Sequence, residues 1–158
     1  MVIDHIGIVV RSLERGIQRW EQLFGYSVSS DIVINSRQGV RVVFLSKSGS
    51  TTIKLLEPNG PDSPVLEFSR KGGGLHHICF RCGDMKQTID CLTDSGARLL
   101  VPPQPGEAFN NHDIAFLWVE SNLNIELIDT TEKTGWLDEP TTVQSQAPSA
   151  DPCFQART

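Results

Sequence analysis

The chain has 158 residues, 39% hydrophobic and 21% charged, with a formal net charge of −5. That length suits one domain with a proper core, and the acidic balance argues against a general nucleic-acid or anionic-membrane surface. No apolar run approaches the roughly 20 residues that span a bilayer. Asp4 and His5 interrupt the first apolar stretch, which has no small-residue cleavage site, so a cytoplasmic protein is expected.

In chain order, Val2 to Val10 alternates and is rich in β-branched residues, the pattern of a strand. Ser12 then caps a segment in which Leu13, Ile17, Trp20 and Phe24 recur at helical spacing, and Gly25 stops it. Tyr26 to Ile34, Val40 to Ser46 and Thr51 to Leu56 read as short strands, with turns at Gln38-Gly39 and Ser48-Gly49-Ser50. Pro58 to Gly74 is mainly a linker with a short helix around Val65 to Arg70. Leu75 to Cys82 is the next strand, and Asp84 with Gln87 resembles a capping box. Met85, Ile89 and Leu92 form an apolar helical stripe that Ser95-Gly96 ends. Arg98 to Val101, Ile114 to Val119 and Asn124 to Asp129 are strands, and Pro102-Pro103-Gln104-Pro105-Gly106 is a loop beside them. Beyond Asp129 the periodicity stops, and the Ser-, Thr-, Pro- and Gln-rich end is expected to be disordered.

The chain says much the same thing twice, 72 positions apart. Ile3-Asp4-His5-Ile6-Gly7-Ile8 returns as Leu75-His76-His77-Ile78-Cys79-Phe80, Val42-Val43-Phe44-Leu45 as Ile114-Ala115-Phe116-Leu117, and Ile53-Lys54-Leu55-Leu56 as Ile125-Glu126-Leu127-Ile128. A repeat this long is a duplicated supersecondary unit, not a solenoid module of roughly 20 to 50 residues. The fold class is therefore α+β: a βαβββ module over 1–57, a linker over 58–74, a second βαβββ module over 75–132, and a tail over 133–158, the modules forming one domain around a curved-sheet cleft.

Strand alternation puts His5 and Gly7 on one face and Ile6, Ile8 and Val10 on the other. The same split places His77, Lys54 and Glu126 at equivalent positions in the two halves, so these four polar side chains are expected to share one site. A polar residue at the centre of an apolar strand needs a partner. His76, on the opposite parity, is expected to face away. Cys79 and Cys82 point to opposite faces of a strand; with Cys91 and Cys153 they read as reduced thiols. Arg37 and Arg41 are candidates to clamp a carboxylate or phosphate. Trp118, Phe109 and Phe116 are candidates to line a cleft, and His112 sits in a loop. Gly72-Gly73-Gly74 precedes a strand and is no phosphate loop.

The D-H-I-G-I start, the G-G-G-L-H-H-I middle and the I-E-L-I close resemble the vicinal oxygen chelate superfamily (glyoxalase, bleomycin resistance, dioxygenase), closest to the methylmalonyl-CoA epimerase and glyoxalase I group, over about residues 1 to 132. The resemblance implies a glyoxalase-like fold, a homodimer, a small-molecule substrate, and one divalent metal ion held by His5, His77 and Glu126. Imidazole nitrogen and carboxylate oxygen suit Zn, Co, Ni, Mn or Fe. It also implies a metal-assisted isomerase, epimerase or lyase acting on a small carbonyl acid or acyl thioester by polarising a carbonyl and stabilising an enolate. Glu126 alternatively moves protons, as the matching Glu does in the epimerases.

Two positions depart from that pattern. The family's remaining ligand, usually Gln or Glu, falls on Lys54, and the epimerases' catalytic-base Glu falls on Arg37. A protonated lysine about 4 Å from a divalent ion costs about 8 kcal/mol at an effective dielectric near 20. Deprotonating an ordinary lysine at pH 7 costs about 5 kcal/mol. Three readings stay open: a three-ligand metal site with Lys54 turned aside; a metal-free site in a sequestering protein, with Lys54 in the ion's place; and catalysis by Lys54 itself as base or Schiff-base amine.

Overall fold

The computed structural model describes residues 1–120 and 123–137. The first module runs β1 (Val2–Val9), α1 (Leu13–Phe24), β2 (Ser27–Val28), β3 (Val33–Asn35), β4 (Val40–Ser46) and β5 (Thr52–Pro58). A short helix α2 (Leu66–Arg70) sits in the linker. The second module runs β6 (Gly74–Arg81), α3 (Met85–Asp94), β7 (Arg98–Pro105), a 3-10 turn (Glu107–Phe109), β8 (Asp113–Val119) and β9 (Leu123–Ile128).

All nine strands join one sheet in the order β2-β4-β5-β1-β6-β9-β8-β7, with β3 on β4. Within each module the first strand pairs in parallel with the last, β1 with β5 and β6 with β9. The modules meet through the antiparallel pair β1–β6. Helices α1 and α3 lie on one side of this sheet. Leu13, Ile17 and Trp20 of α1 pack with Ile6, Ile8, Val43, Leu45, Ile53 and Leu55, and Met85 and Ile89 of α3 pack with Ala115, Leu117 and Leu127. The caps agree with the sequence: the Ser12 hydroxyl accepts from Arg15 N–H, Asp84 accepts from Gln87 N–H, and Gly25 closes α1 at φ 67°, a left-handed angle that glycine adopts without Cβ strain. The other side of the sheet is a third apolar cluster around Val9, Val42, Phe44, Leu56, Cys79, Phe109, Ile114 and Ile128. Cys79 faces this inner cluster and Cys82 the α3 side, both as free thiols.

Three elements differ from expectation. The strand expected over Tyr26 to Ile34 is two short strands, because Ser29 to Asp31 turn aside to bond a later segment: Leu137 N–H donates to Ser29 O and Asp31 N–H to Gly135 O. The loop expected at Pro102–Pro105 is strand, the outer part of β7, with register shifts around Val101. Proline is tolerated there because β7 is an edge. Residues 133–137, placed with the tail by the sequence, lie on the body, with Trp136 bridged to Ser30. The tail from 138 onward, with Cys153, lies outside the described residues. Among the described residues no helix is long and apolar enough to cross a membrane.

Candidate functional site

The four central strands, β5, β1, β6 and β9, each carry one of the four polar residues on the inner face: Lys54, His5, His77 and Glu126. Register makes two rows across them. Lys54 lies beside Gly7, which lies beside His77, and Glu126 lies beside Cys79, which lies beside His5. The repeat relates one row to the other, each row drawing on both modules. Lys54 and Glu126 are 72 residues apart, as are His5 and His77. Gly7 is the position that lets the first row close, since any Cβ there would collide with the His77 ring.

Lys54 Nζ lies 3.2 and 3.3 Å from the two Glu126 oxygens. Glu126 Oε2 lies 2.9 Å from His5 Nε2 and 3.1 Å from His77 Nε2. None of the four side chains is more than 1% exposed. Aromatic rings seal the cluster. Phe109, carried in by the 3-10 turn, stacks on His5 at 5.9 Å and stands 4.7 Å from Lys54 Nζ. Phe44 meets His5 edge-on at 5.4 Å, and Phe116 meets His77 at 5.5 Å. The 3-10 turn is itself tied down by buried Asn35, whose side-chain oxygen accepts from Ala108 N–H at 3.0 Å.

Each imidazole has a partner on its far nitrogen. Asp4 Oδ1 lies 2.9 Å from His5 Nδ1, and Lys133 Nζ lies 3.0 Å from the same carboxylate oxygen. In the other half His76 Nδ1 lies 2.8 Å from His77 Nδ1. His76 therefore does not face away from the site. Strand parity assigns a side chain to a face, but at the two His-bearing strands the preceding residue folds back onto its neighbour's ring. The β1–β6 register is irregular between Ile3 and His5.

Burial raises the Glu126 carboxyl, but the Lys54 ammonium and the hydrogen bonds from His5 and His77 outweigh it and hold the group well below the usual carboxylate range. Desolvation pushes His77 down to about 3, against the pull of Glu126, and also lowers His76. Burial raises Asp4, yet its bond with His5 and the charge of Lys133 leave it lowered overall. Glu126 thus faces Lys54, and Asp4 faces Lys133, as opposite charges, with His5 between the two carboxylates. Because Glu126 only accepts, neutral His77 carries its proton on Nε2 and accepts at Nδ1 from His76. That network assigns His76 a proton on Nδ1 and a bare Nε2.

A cleft of about 320 Å³ lies beside this cluster and touches its surroundings at His76 and Phe116, without being lined by His5, Lys54, His77 or Glu126. Val40, Leu56, Val65, Leu100, Val101 and Phe116 give it apolar walls, while Arg37, Gln38, Gln104, Asn124 and His76 supply polar groups. Arg37 stands at the cleft with Nη1 donating to Pro105 O at 3.2 Å. Arg41 is outside it, bonded to Glu57 at 3.1 Å and Glu14 at 3.3 Å. Trp118 is also outside it, under the Arg98 guanidinium at 5.5 Å. His112 lies near Asp129 and Glu132, at 4.0 and 3.8 Å. Sequence reasoning missed Asp4, His76 and Lys133. The Asp4/His76 equivalence was the available signal; Lys133 had none.

His5, His77 and Glu126 form a cluster able to hold a metal ion. Their converging atoms are 2.9, 3.1 and 3.4 Å apart, close to the roughly 3.3 Å between ligands of a tetrahedral ion with 2.0–2.1 Å bonds. The donors fit by type and spacing. Lys54 does not, because its ammonium already straddles both oxygens of the only anionic donor.

The family model of the glyoxalase/bleomycin resistance protein/dioxygenase superfamily matches residues 4–116. The Bacillus subtilis protein YqjC is 34% identical over 116 residues, 73% of this chain and 81% of that one. The ethylmalonyl-CoA/methylmalonyl-CoA epimerase of Cereibacter sphaeroides is 32% identical over 117 residues, 73% of this chain and 86% of its own. Among solved structures, a single-residue variant of Streptomyces coelicolor methylmalonyl-CoA epimerase in complex with 2-nitronate-propionyl-CoA superposes at a TM-score of 0.70 with 29% identity, covering 84% of this chain and 98% of that one. The epimerases among these relatives are isomerase-type enzymes. By its duplicated modules, its curved sheet and this family match, the chain belongs to the glyoxalase/bleomycin resistance/dioxygenase superfamily.

Proposed function

We propose that this chain is an epimerase-type isomerase that removes and returns the proton on the carbon beside the carbonyl of an acyl thioester or small carbonyl acid. One observation carries it: the apolar cleft ends at His76, which is bonded directly into the buried cluster. Neutral His76, with Nε2 bare, takes the proton, and solvent in the open cleft returns one to the opposite face of the enolate; His77 and Glu126 hold His76 in the tautomer that can accept it. Glu126 also fixes His5 and Lys54. As electrons move onto the carbonyl oxygen, a cation is needed beside it. Arg37 suits the anionic end of the substrate, and the acyl-CoA named for the relatives supports a thioester carrying such groups. Arg41 and Trp118 take no part in it. A cytoplasmic homodimer belongs to the same proposal, supported by the apolar Val2, Ile3 and Ile34 left exposed on strands.

The test is deuterium incorporation from solvent into methylmalonyl-CoA and ethylmalonyl-CoA, read by mass spectrometry. Exchange in the wild type, reduced at least about 100-fold in His76→Gln, is the expected result. Ligand bound but never exchanged would favour the second reading, a sequestering protein, for which the complete burial of the cluster speaks.

A further inference from the structure

We infer that Lys54 is the resident cation of this site, so that the native chain takes up no divalent metal and an ammonium supplies the charge beside the substrate carbonyl. The latter half rests on the epimerase-type reading; the occupancy of the site by Lys54 does not.

Three observations carry the inference. Lys54 Nζ bridges both oxygens of Glu126, at 3.2 and 3.3 Å, so an ion bound by that carboxylate and the lysine would compete for the same atoms. The packing around the lysine also favours the pose it has. Its strand is flanked by β4 and β1, with Phe44 and Gly7 as its register neighbours. Its ammonium is boxed by the Phe109 ring at 4.7 Å and the Phe44 ring at 5.8 Å, contacts that favour a cation as it stands. Turning away would part the charge from Glu126 and set it among the apolar side chains of the inner cluster. Finally, Lys54 already offsets the Glu126 charge, so a divalent ion added beside it would leave the buried cluster with at least two uncompensated positive charges.

The repeat explains how such a site arises. Lys54 and Glu126 occupy equivalent places in the two modules, so one acidic and one basic residue meet across the join and neutralise each other. Lys54 does not itself line the cleft; it is one inward-facing position along β5 from Leu56, a wall of the cleft, so its charge lies behind that wall.

The experiment is Co(II) titration of tag-free protein purified without chelators, followed by visible absorption and by metal content after gel filtration, on wild type, His5→Ala, Lys54→Gln and Lys54→Gln/His5→Ala. Wild type should bind no Co(II), while Lys54→Gln binds about one per chain, at least on the order of a thousand-fold more tightly, the factor that an ordinary lysine's deprotonation at pH 7 imposes. The added His5→Ala should abolish that binding. Wild type carrying about one transition metal per chain, lost in His5→Ala, would overturn the inference, as would a folded Lys54→Gln that binds none. Should Lys54→Gln not accumulate folded, its refolding with and without Co(II) is compared by circular dichroism; metal-dependent refolding supports the inference and its absence overturns it. Failure to exchange deuterium into any thioester would count against the isomerase reading alone and leave these metal results standing.

Discussion

The Lys54–Glu126 pair is the place where this structure makes its sharpest energetic statement. Both side chains are fully withdrawn from water and 3.2 Å apart. At an effective dielectric near 20 their attraction is about 5 kcal/mol, most of it offset by the cost of taking two charges out of water. Removing one partner exposes that cost. Glu126→Gln leaves the ammonium with an amide oxygen and two aromatic faces, and should lose about 3–5 kcal/mol of stability. Lys54→Met leaves a carboxylate that still lies 2.9 and 3.1 Å from two imidazole nitrogens, so it should fall at the lower end of that range. The double variant Lys54→Met/Glu126→Gln has no orphaned charge and should lose about 2–3 kcal/mol less than the sum of the singles. Urea unfolding followed by circular dichroism measures all four proteins, and equal m-values confirm that the same structure is melting. Additivity within about 0.5 kcal/mol would refute the coupling and with it the charge-balanced site.

Two other outcomes follow from the same geometry. Gly7→Ala drives a methyl into the His77 ring and should cost about 1–3 kcal/mol, the range for overpacking; an unchanged thermal midpoint would mean that the ring does not lie there. His77 is held neutral by desolvation down to about 3, whereas an unfolded histidine titrates near 6.5. Between those values the unfolded chain binds the extra proton, so stability is complete above about pH 6.5 and falls as pH drops toward 3, by about 1.4 kcal/mol at pH 5.5 relative to pH 7.5 from this residue alone. The urea midpoint should follow that slope in the wild type and lose this part of it in His77→Asn; a flat wild-type profile would contradict a neutral buried ring.

The repeat, the strand–helix order and the choice of His5, Lys54, His77 and Glu126 as one group were readable from residues alone, because each rests on a local period or on equivalence between the halves. Ser12, Asp84 and Gly25 set helix ends by contacts within one turn, so they needed no tertiary information. The fate of Arg41 did need it: its neighbours Glu14 and Glu57 come from a helix and another strand. Trp118, likewise, meets Arg98 across the β7–β8 pair. The split of the Tyr26–Ile34 strand depends on residues 135–137, about a hundred positions away in sequence. His76 shows the limit most clearly. Period two says which face a Cβ leaves from, but not that an imidazole folds back 2.8 Å onto the ring of its neighbour. Sequence grouped His5, Lys54, His77 and Glu126; the ion pair between Lys54 and Glu126, the hydrogen-bond order through both imidazoles and the seal made by Phe109 come from strands brought side by side, because electrostatics and packing act through space and not along the chain.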